Sequence, residues 1–283
     1  MNILPSYACN LACPFCAIHQ LDKGDLLDLD WLEKQIKEIP AEQIDILGGE
    51  PSLLPEEYLD RLISICRNKT GKKPGMYSNL IIKSPLLDKV ELTVSYDPGS
   101  RQKSSRVLAN MLTLEQPFEI NTIATKPAIE RGPEYLIKLA ARMPNLKRIT
   151  LSTLTVFPGC EDLRPEPEAL KEFCLKLIEL DKNNLIHFYP IATWQEDYIK
   201  RMDPAQTVEI LPNKKFRIAL RDFQGVREFD TYKEAAAYYE DNYSQADGQC
   251  KRCEFFRRCP HMYSEIRCKE DYEIAKAIKE RLS

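Results

Sequence analysis

Along roughly the first 190 residues, short apolar runs recur between longer stretches whose apolar positions fall three and four apart. The first pattern predicts strands and the second amphipathic helices. Strands are expected at Asn2–Tyr7, Gln43–Leu47, Gly75–Ser78, Val90–Tyr96, Phe118–Ala124 and Arg148–Thr153, with a further apolar run at Leu185–Tyr189. Helices are expected between them, at Leu29–Ile39, Pro55–Arg67, Ser104–Leu114, Pro133–Arg142 and Glu166–Leu180. Asp28 and Ser52 stand near helix starts as candidate caps. Strand and helix alternating in this way predict a parallel sheet with crossover helices, the α/β class. Function in parallel α/β barrels gathers at the carboxyl ends of the strands.

The pattern changes from about residue 196. Val208–Leu211 and Phe216–Leu220, on either side of Pro212-Asn213-Lys214-Lys215, predict a β-hairpin. A helix at Tyr232–Asn242, a cysteine-rich segment at 250–268 and a terminal helix at Asp271–Leu282 follow. Two domains are expected, 1–195 and 196–283.

Composition narrows the function. A length of 283 residues suits one large domain plus a small one, and 43% hydrophobic residues suit a globular core. The formal net charge of −3 gives no global basic field, so neither nucleic acid nor an anionic membrane is the expected partner. The start Met1-Asn2-Ile3 carries no basic leader, and no run approaches the roughly 20 apolar residues of a membrane span. A cytoplasmic protein is expected. Ten cysteines without a secretory signal argue for metal or redox use, and seven of them fall in two clusters at the ends of the chain.

The first cluster is Cys9-Asn10-Leu11-Ala12-Cys13-Pro14-Phe15-Cys16, directly after the first strand. Three soft thiolates on one loop suit an iron–sulfur cluster, and a cubane held by three ligands keeps one iron open for catalysis. The alternative is a zinc loop or three unrelated thiols, although zinc sites usually pair two hairpins or add histidines. The C-x3-C-x2-C spacing, with aromatic Phe15 before the last cysteine, resembles the radical S-adenosylmethionine (SAM) superfamily. That resemblance implies a partial (β/α)6 TIM-like barrel. It also implies a [4Fe–4S] cluster on Cys9, Cys13 and Cys16 whose open iron chelates SAM, and reductive cleavage to a 5′-deoxyadenosyl radical that abstracts hydrogen from a substrate.

Further positions carry the resemblance. Gly48-Gly49-Glu50-Pro51 closes the second strand; two glycines permit close approach of a ligand, and the family's Gly-Gly-Glu holds the cofactor's amino group. Ser78-Asn79 ends the third strand where the family often carries Thr-Asn-Gly, with Leu80 in place of the glycine, so Asn79 is carried over as a cofactor contact. Ser95-Tyr96-Asp97 ends the fourth strand and resembles the family's Ser-x-Asp, whose serine reaches the cofactor carboxylate; a plain turn into Pro98-Gly99 is the other reading. Asn121 is a candidate for the ribose, and Arg101 and Arg106 for the carboxylate or for solvated surface. Cys66 and Cys174 sit at helical spacing on apolar faces and read as core. Cys160 follows the sixth strand at the barrel mouth as a hydrogen-atom donor, a substrate ligand or a spare thiol. Acid–base work would fall on carboxylates or tyrosines as readily as on His19 or His187.

The second cluster, Cys250-x2-Cys253-x5-Cys259-x8-Cys268, supplies four thiols, enough to close a [4Fe–4S] site. A zinc knuckle, with His261 as an alternative ligand, is the other reading. The segment resembles the SPASM/twitch extension of radical SAM enzymes, a small α+β iron–sulfur domain. It departs from the two-cluster version in lacking a cysteine after the hairpin and in having Tyr263 where another would stand, so one auxiliary cluster is implied. Lys251, Arg252, Arg257 and Arg258 offset cluster charge, dock an acidic electron donor of the flavodoxin or ferredoxin type, or form a nucleic-acid patch with Phe255 and Phe256. The expected activity is that of a radical SAM oxidoreductase or modifying enzyme. The chain starts too near the first strand for an N-terminal peptide-recognition domain, which tilts the expected substrate toward a small molecule, a nucleotide-type compound or a peptide presented by a separate protein. A non-catalytic zinc-stabilised module binding nucleic acid or protein is the alternative.

Overall fold

The computed structural model describes residues 1–16, 18, 21, 24–154, 159–189, 204–218 and 227–244, with 273, 274, 276, 277 and 280 near the carboxyl terminus. The expected boundary at 195, His19, the cysteines at 250, 253, 259 and 268, and seven of the twelve residues of the expected terminal helix lie outside these residues.

The chain is of the α/β class, with seven strands of a parallel sheet in the manner of a partial (β/α) barrel. These are β1 (Asn2–Ile3), β2 (Asp45–Ile46), β3 (Gly75–Ser78), β4 (Glu91–Ser95), β5 (Phe118–Ala124), β6 (Leu146–Thr153) and β7 (Ile186–Tyr189). The intervening helices are α1 (Leu29–Gln35), α2 (Glu56–Thr70), α3 (Ser104–Met111), α4 (Lys126–Glu130), α5 (Glu134–Ala140) and α6 (Pro167–Leu180). Contacts divide the chain into two compact units, one of Met1–Ala12, Cys16–Thr93 and Lys200–His261, the other of Cys13–Phe15, Val94–Ile199 and Met262–Ser283.

In the first unit β1 lies parallel to β2, and β2 to β3. On its other side β1 lies parallel to β8 (Val208–Ile210), which forms an antiparallel hairpin with β9 (Phe216–Ile218), followed by β10 (Glu228–Phe229). The expected hairpin is therefore present, and it joins the same sheet as β1. β1 is shorter than the alternation predicts. Leu4 still donates to the Ile210 carbonyl at 2.8 Å. Pro5 then has no N–H to give, and the ladder stops. Asp28 caps α1, its Oδ1 accepting from the Asp30 and Trp31 amides at 2.9 and 3.1 Å. Its other oxygen accepts from Lys214 in the hairpin turn at 2.9 Å.

α2 packs Leu59, Leu62, Ile63, Ile65 and Cys66 inward and ends at Gly71, whose φ of 71° is a left-handed cap that a Cβ would strain. Cys66 is core, as its spacing predicts, and burial pushes its thiol up to about 12. Ser52 is not a helix cap. It lies inside a 3-10 turn, Pro51–Leu53, which Glu50 caps, while Pro55 precedes α2 without a side-chain bond. The buried Ser52 hydroxyl has no hydrogen-bond partner among the described residues.

In the second unit β5 lies parallel to β6 and β6 to β7, with Ile120, Ile149 and Leu151 buried. α4 was not expected. It follows β5 after a single residue, Thr125, with Pro127 near its start, too short a run to show helical periodicity.

Candidate active site

Three strand ends of the first unit meet. The cysteine loop leaves β1, the Gly48-Gly49-Glu50 turn leaves β2, and Ser78-Asn79 ends β3. The Gly49 amide donates to the Ser6 carbonyl at 2.9 Å and the Glu50 amide to the Ala8 carbonyl at 2.8 Å, so the turn is laced to the start of the cysteine loop. The glycines were expected to admit a ligand. What they approach is the chain's own backbone. A Cβ at Gly48, whose φ is +109°, would stand 2.6 Å from the Ser6 oxygen, and one at Gly49 would stand 2.6 Å from the Ala8 carbonyl carbon. No Cβ fits such gaps.

Glu50 is 3% exposed. Its Oε1 accepts from the Ser52 amide at 3.0 Å and the Ser78 hydroxyl at 2.8 Å, and its Oε2 from the Asn79 amide at 2.6 Å. All three donors are neutral. The Asn79 side chain turns the other way. Its Oδ1 accepts from the Ile81 amide at 3.0 Å, and its Nδ2 stands 2.7 Å from Asn10 Oδ1 and 3.8 Å from Cys9 Sγ. Asn10 and Ser78 were given no role in the sequence, since their partners are distant along the chain. Beside Tyr7 lies a cavity of about 590 Å³ lined also by Asp28, Asn213, Lys214, Arg217 and Glu228. Burial raises the Tyr7 phenol pKa, opposed by the Arg217 charge.

Cys9 and Cys16 are half-buried and Cys13 is buried, and none of the three is in a disulfide. Among the described residues no three histidine, cysteine, aspartate or glutamate side chains are gathered as a ready-made metal site. The claim of the loop on a cluster therefore rests on its donor chemistry.

In the second unit, Asp97 is fully buried and accepts from the Ile123 amide at 2.6 Å and from Arg101 Nε at 2.8 Å and a terminal nitrogen at 2.7 Å. It anchors the turn after β4, with Ser100 and Arg101 donating to its carbonyl. Arg101, a candidate for the cofactor carboxylate, is held by this pair and lies 5.4 Å from the centre of the Phe15 ring. Arg106 is exposed on α3. Ser95 is the half-buried last residue of β4, and Asn121 Oδ1 accepts from the Ser152 hydroxyl at 2.8 Å. Cys160 is 1% exposed at the entry to a 3-10 turn. Cys174 is buried on α6 as expected, and His187 lies half-buried on β7.

Residues 3–97 match the family model "Radical SAM superfamily". The chain is an enzyme that carries a radical SAM domain at these residues. No curated protein matches it. Among solved structures it resembles "Native anSMEcpe with bound AdoMet and Cp18Cys peptide", at 15% identity and a TM-score of 0.68, over 99% of this chain and 98% of that one. It also resembles SuiB of Streptococcus suis bound to S-adenosylmethionine, at 17% identity and a TM-score of 0.65, over 93% of this chain and 72% of the other. SuiB bound to its precursor peptide SuiA matches at 15% identity and a TM-score of 0.66 over 93% and 71%. At these identities the likeness establishes the fold. The radical SAM match brings with it a [4Fe–4S] cluster and SAM, and it sets aside the non-catalytic reading. Three thiols on one loop, none in a disulfide and with an amide N–H beside the first, fit such a cluster. No helix among the described residues is long and apolar enough to cross a membrane.

Proposed function

We propose that this radical SAM enzyme modifies a peptide, holding its catalytic cluster on Cys9, Cys13 and Cys16 and one auxiliary [4Fe–4S] cluster on Cys250, Cys253, Cys259 and Cys268. The observation that carries the site is the lacing of Gly49 and Glu50 to Ser6 and Ala8, with Asn79 reaching Cys9. The bound cluster supplies the one electron that cleaves SAM reductively.

The chain's own residues do the rest. The close approach at Gly48 and Gly49 fixes where the cysteine loop begins. Glu50 accepts only neutral donors, so its negative charge is not cancelled among the described residues, and a carboxylate has about four acceptor sites of which three are used. It holds the cofactor's ammonium group through that charge. Ser95 and Asn121 serve the cofactor carboxylate and ribose. Buried Leu11 and Phe15 keep water from the loop. A flavodoxin- or ferredoxin-type donor delivers the electron. Cys160, buried as it is, donates a hydrogen atom only to a substrate that reaches it. The peptide substrate is supported by whole-chain likeness to two proteins whose structures hold peptides.

The test is anaerobic turnover of reconstituted enzyme with cysteine- and serine-containing peptides, set beside nucleosides and small alcohols. A peptide mass change accompanied by 5′-deoxyadenosine supports the proposal. Turnover of nucleosides or alcohols alone overturns the peptide assignment, and no 5′-deoxyadenosine under any condition overturns the chemistry.

A further inference from the structure

We propose that Asn79 is a positioning residue for Cys9, sharing its two amide N–H groups between the Cys9 sulfur and Asn10 and so setting the placement and reduction potential of the cluster; the inference rests on the function proposed above.

Hydrogen bonds fix which end of the Asn79 amide faces the loop. The Ile81 amide donates to one terminal atom of Asn79 at 3.0 Å, and only an oxygen can accept it. The nitrogen therefore faces the loop. It carries two hydrogens and has two acceptors, Asn10 Oδ1 at 2.7 Å and Cys9 Sγ at 3.8 Å, the latter within reach of a large sulfur acceptor. The amide is thus matched donor for acceptor on both sides. Asn79 is 4% exposed, and its own backbone amide is fixed on Glu50 at 2.6 Å. Leu80, which follows, takes a left-handed φ of 52° and donates to the Ser78 hydroxyl at 2.9 Å. A residue this constrained on both sides holds its side chain in one place. Glu50 consequently acts on Cys9 through Asn79, whether or not cofactor is bound.

Two consequences follow from ordinary ligand chemistry. Groups that hydrogen-bond a metal ligand orient it, and their loss typically lowers metal affinity about 10–100-fold. Hydrogen bonds to cluster sulfurs withdraw charge from the thiolate and favour the reduced state, so they raise the potential.

The experiment compares wild type with Asn79→Asp and Asn79→Ser after identical anaerobic reconstitution. Both variants keep an oxygen that can accept from Ile81, so the turn survives. Neither presents an N–H to Cys9. Iron and sulfide are measured, the catalytic cluster is titrated by spectroelectrochemistry, and SAM affinity is measured separately. Folding of the cluster-free proteins is checked by circular dichroism.

The expected result is a more negative midpoint. The ratio of reduced to oxidised cluster at a fixed potential falls roughly tenfold, about 59 mV for a one-electron couple, while SAM affinity changes less than the potential does. Loss of catalytic-cluster iron from a variant that still folds supports the same conclusion, because a residue that only contacts cofactor leaves the thiolates as they were. An unchanged midpoint and iron content together with weakened SAM binding overturns the inference and makes Asn79 a cofactor ligand. An unchanged midpoint, iron content and affinity overturns it as well. A wild type that takes up no cluster defeats the proposed function and not the Asn79 role alone.

Discussion

Two buried carboxylates, one in each unit, stand just past strand ends and do opposite things with their charge. Asp97 follows β4 and is paired with Arg101, so its charge is cancelled where it lies. Glu50 follows β2 and receives a hydroxyl and two backbone amides, and no ion pair among the described residues cancels its charge. Both organise a loop. The cation-binding role proposed for Glu50 rests on that difference in pairing, since the two side chains are almost equally hidden from water.

The comparison is broken most severely at Asp97. Asp97→Asn keeps an oxygen for the Ile123 amide but removes the charge paired with the largely buried Arg101. The expected loss is roughly 3–5 kcal/mol, as for other buried pairs that lose one member. Urea unfolding reads it as a lower midpoint, and a midpoint within error of wild type would mean that the pair does not anchor the turn.

Gly49→Ala comes next. The added methyl meets the Ala8 carbonyl, which is backbone and cannot swing aside. Overpacking of this kind costs about 1–3 kcal/mol, and the cysteine loop is what must move. Iron of the catalytic cluster should fall several-fold while iron of the proposed C-terminal cluster is retained. A full complement of iron would show that the loop docks without this contact.

Glu50→Gln has a smaller effect on stability and a specific one on binding. One amide hydrogen atom of the glutamine faces a donor, and a buried donor left unmatched costs about 1–3 kcal/mol. Charge-assisted bonds are roughly twice as strong as neutral ones, so SAM affinity should fall about tenfold, or ~1.4 kcal/mol. If Asn79 carries Glu50's influence to Cys9, the cluster potential shifts too. Equal affinity in titrations of both proteins would reduce Glu50 to an anchor like Asp97.

The smallest effect concerns acid. The hydrogen bond from Lys214, aided by the Trp31 amide, holds the Asp28 carboxyl below its ordinary value of 3.8. A carboxyl lowered in the folded state contributes stability that is present above its unfolded pKa and lost as pH falls through the folded one. Asp28→Asn keeps the cap but loses the pairing. Its thermal midpoint should therefore fall less than that of wild type between pH 5 and roughly pH 2, the acid window below the ordinary carboxylate range. Identical acid profiles would show that the pairing is without consequence.

Much of the fold was legible in the alternation. Phe118–Ala124 and Gly75–Ser78 are strands with the predicted bounds; the first alternates buried and half-buried positions along its whole length, and the second follows Pro74. The end of β1 was not, since a proline cuts the ladder short inside the apolar run. The parallel pairing of β8 with β1 was not legible either, as it joins positions about two hundred residues apart. In the site, the cysteine spacing and the Gly-Gly-Glu signal were visible, whereas the reason for the glycines was not. Nothing local in Gly48-Gly49 distinguishes a ligand from the backbone of residues 6–8. The Asn79–Cys9 contact spans seventy positions, and only the folded chain reveals it.

The central claim is that the loop Cys9–Cys16 makes this chain a radical SAM catalyst, and it is tested most directly by replacing Cys9, Cys13 and Cys16 together with alanine. Reduced with dithionite under anaerobic conditions, wild type should release 5′-deoxyadenosine from SAM and hold about eight irons in two four-iron clusters. The triple variant should release none while retaining the four irons of the C-terminal site. Continued formation of 5′-deoxyadenosine by the triple variant would contradict the account.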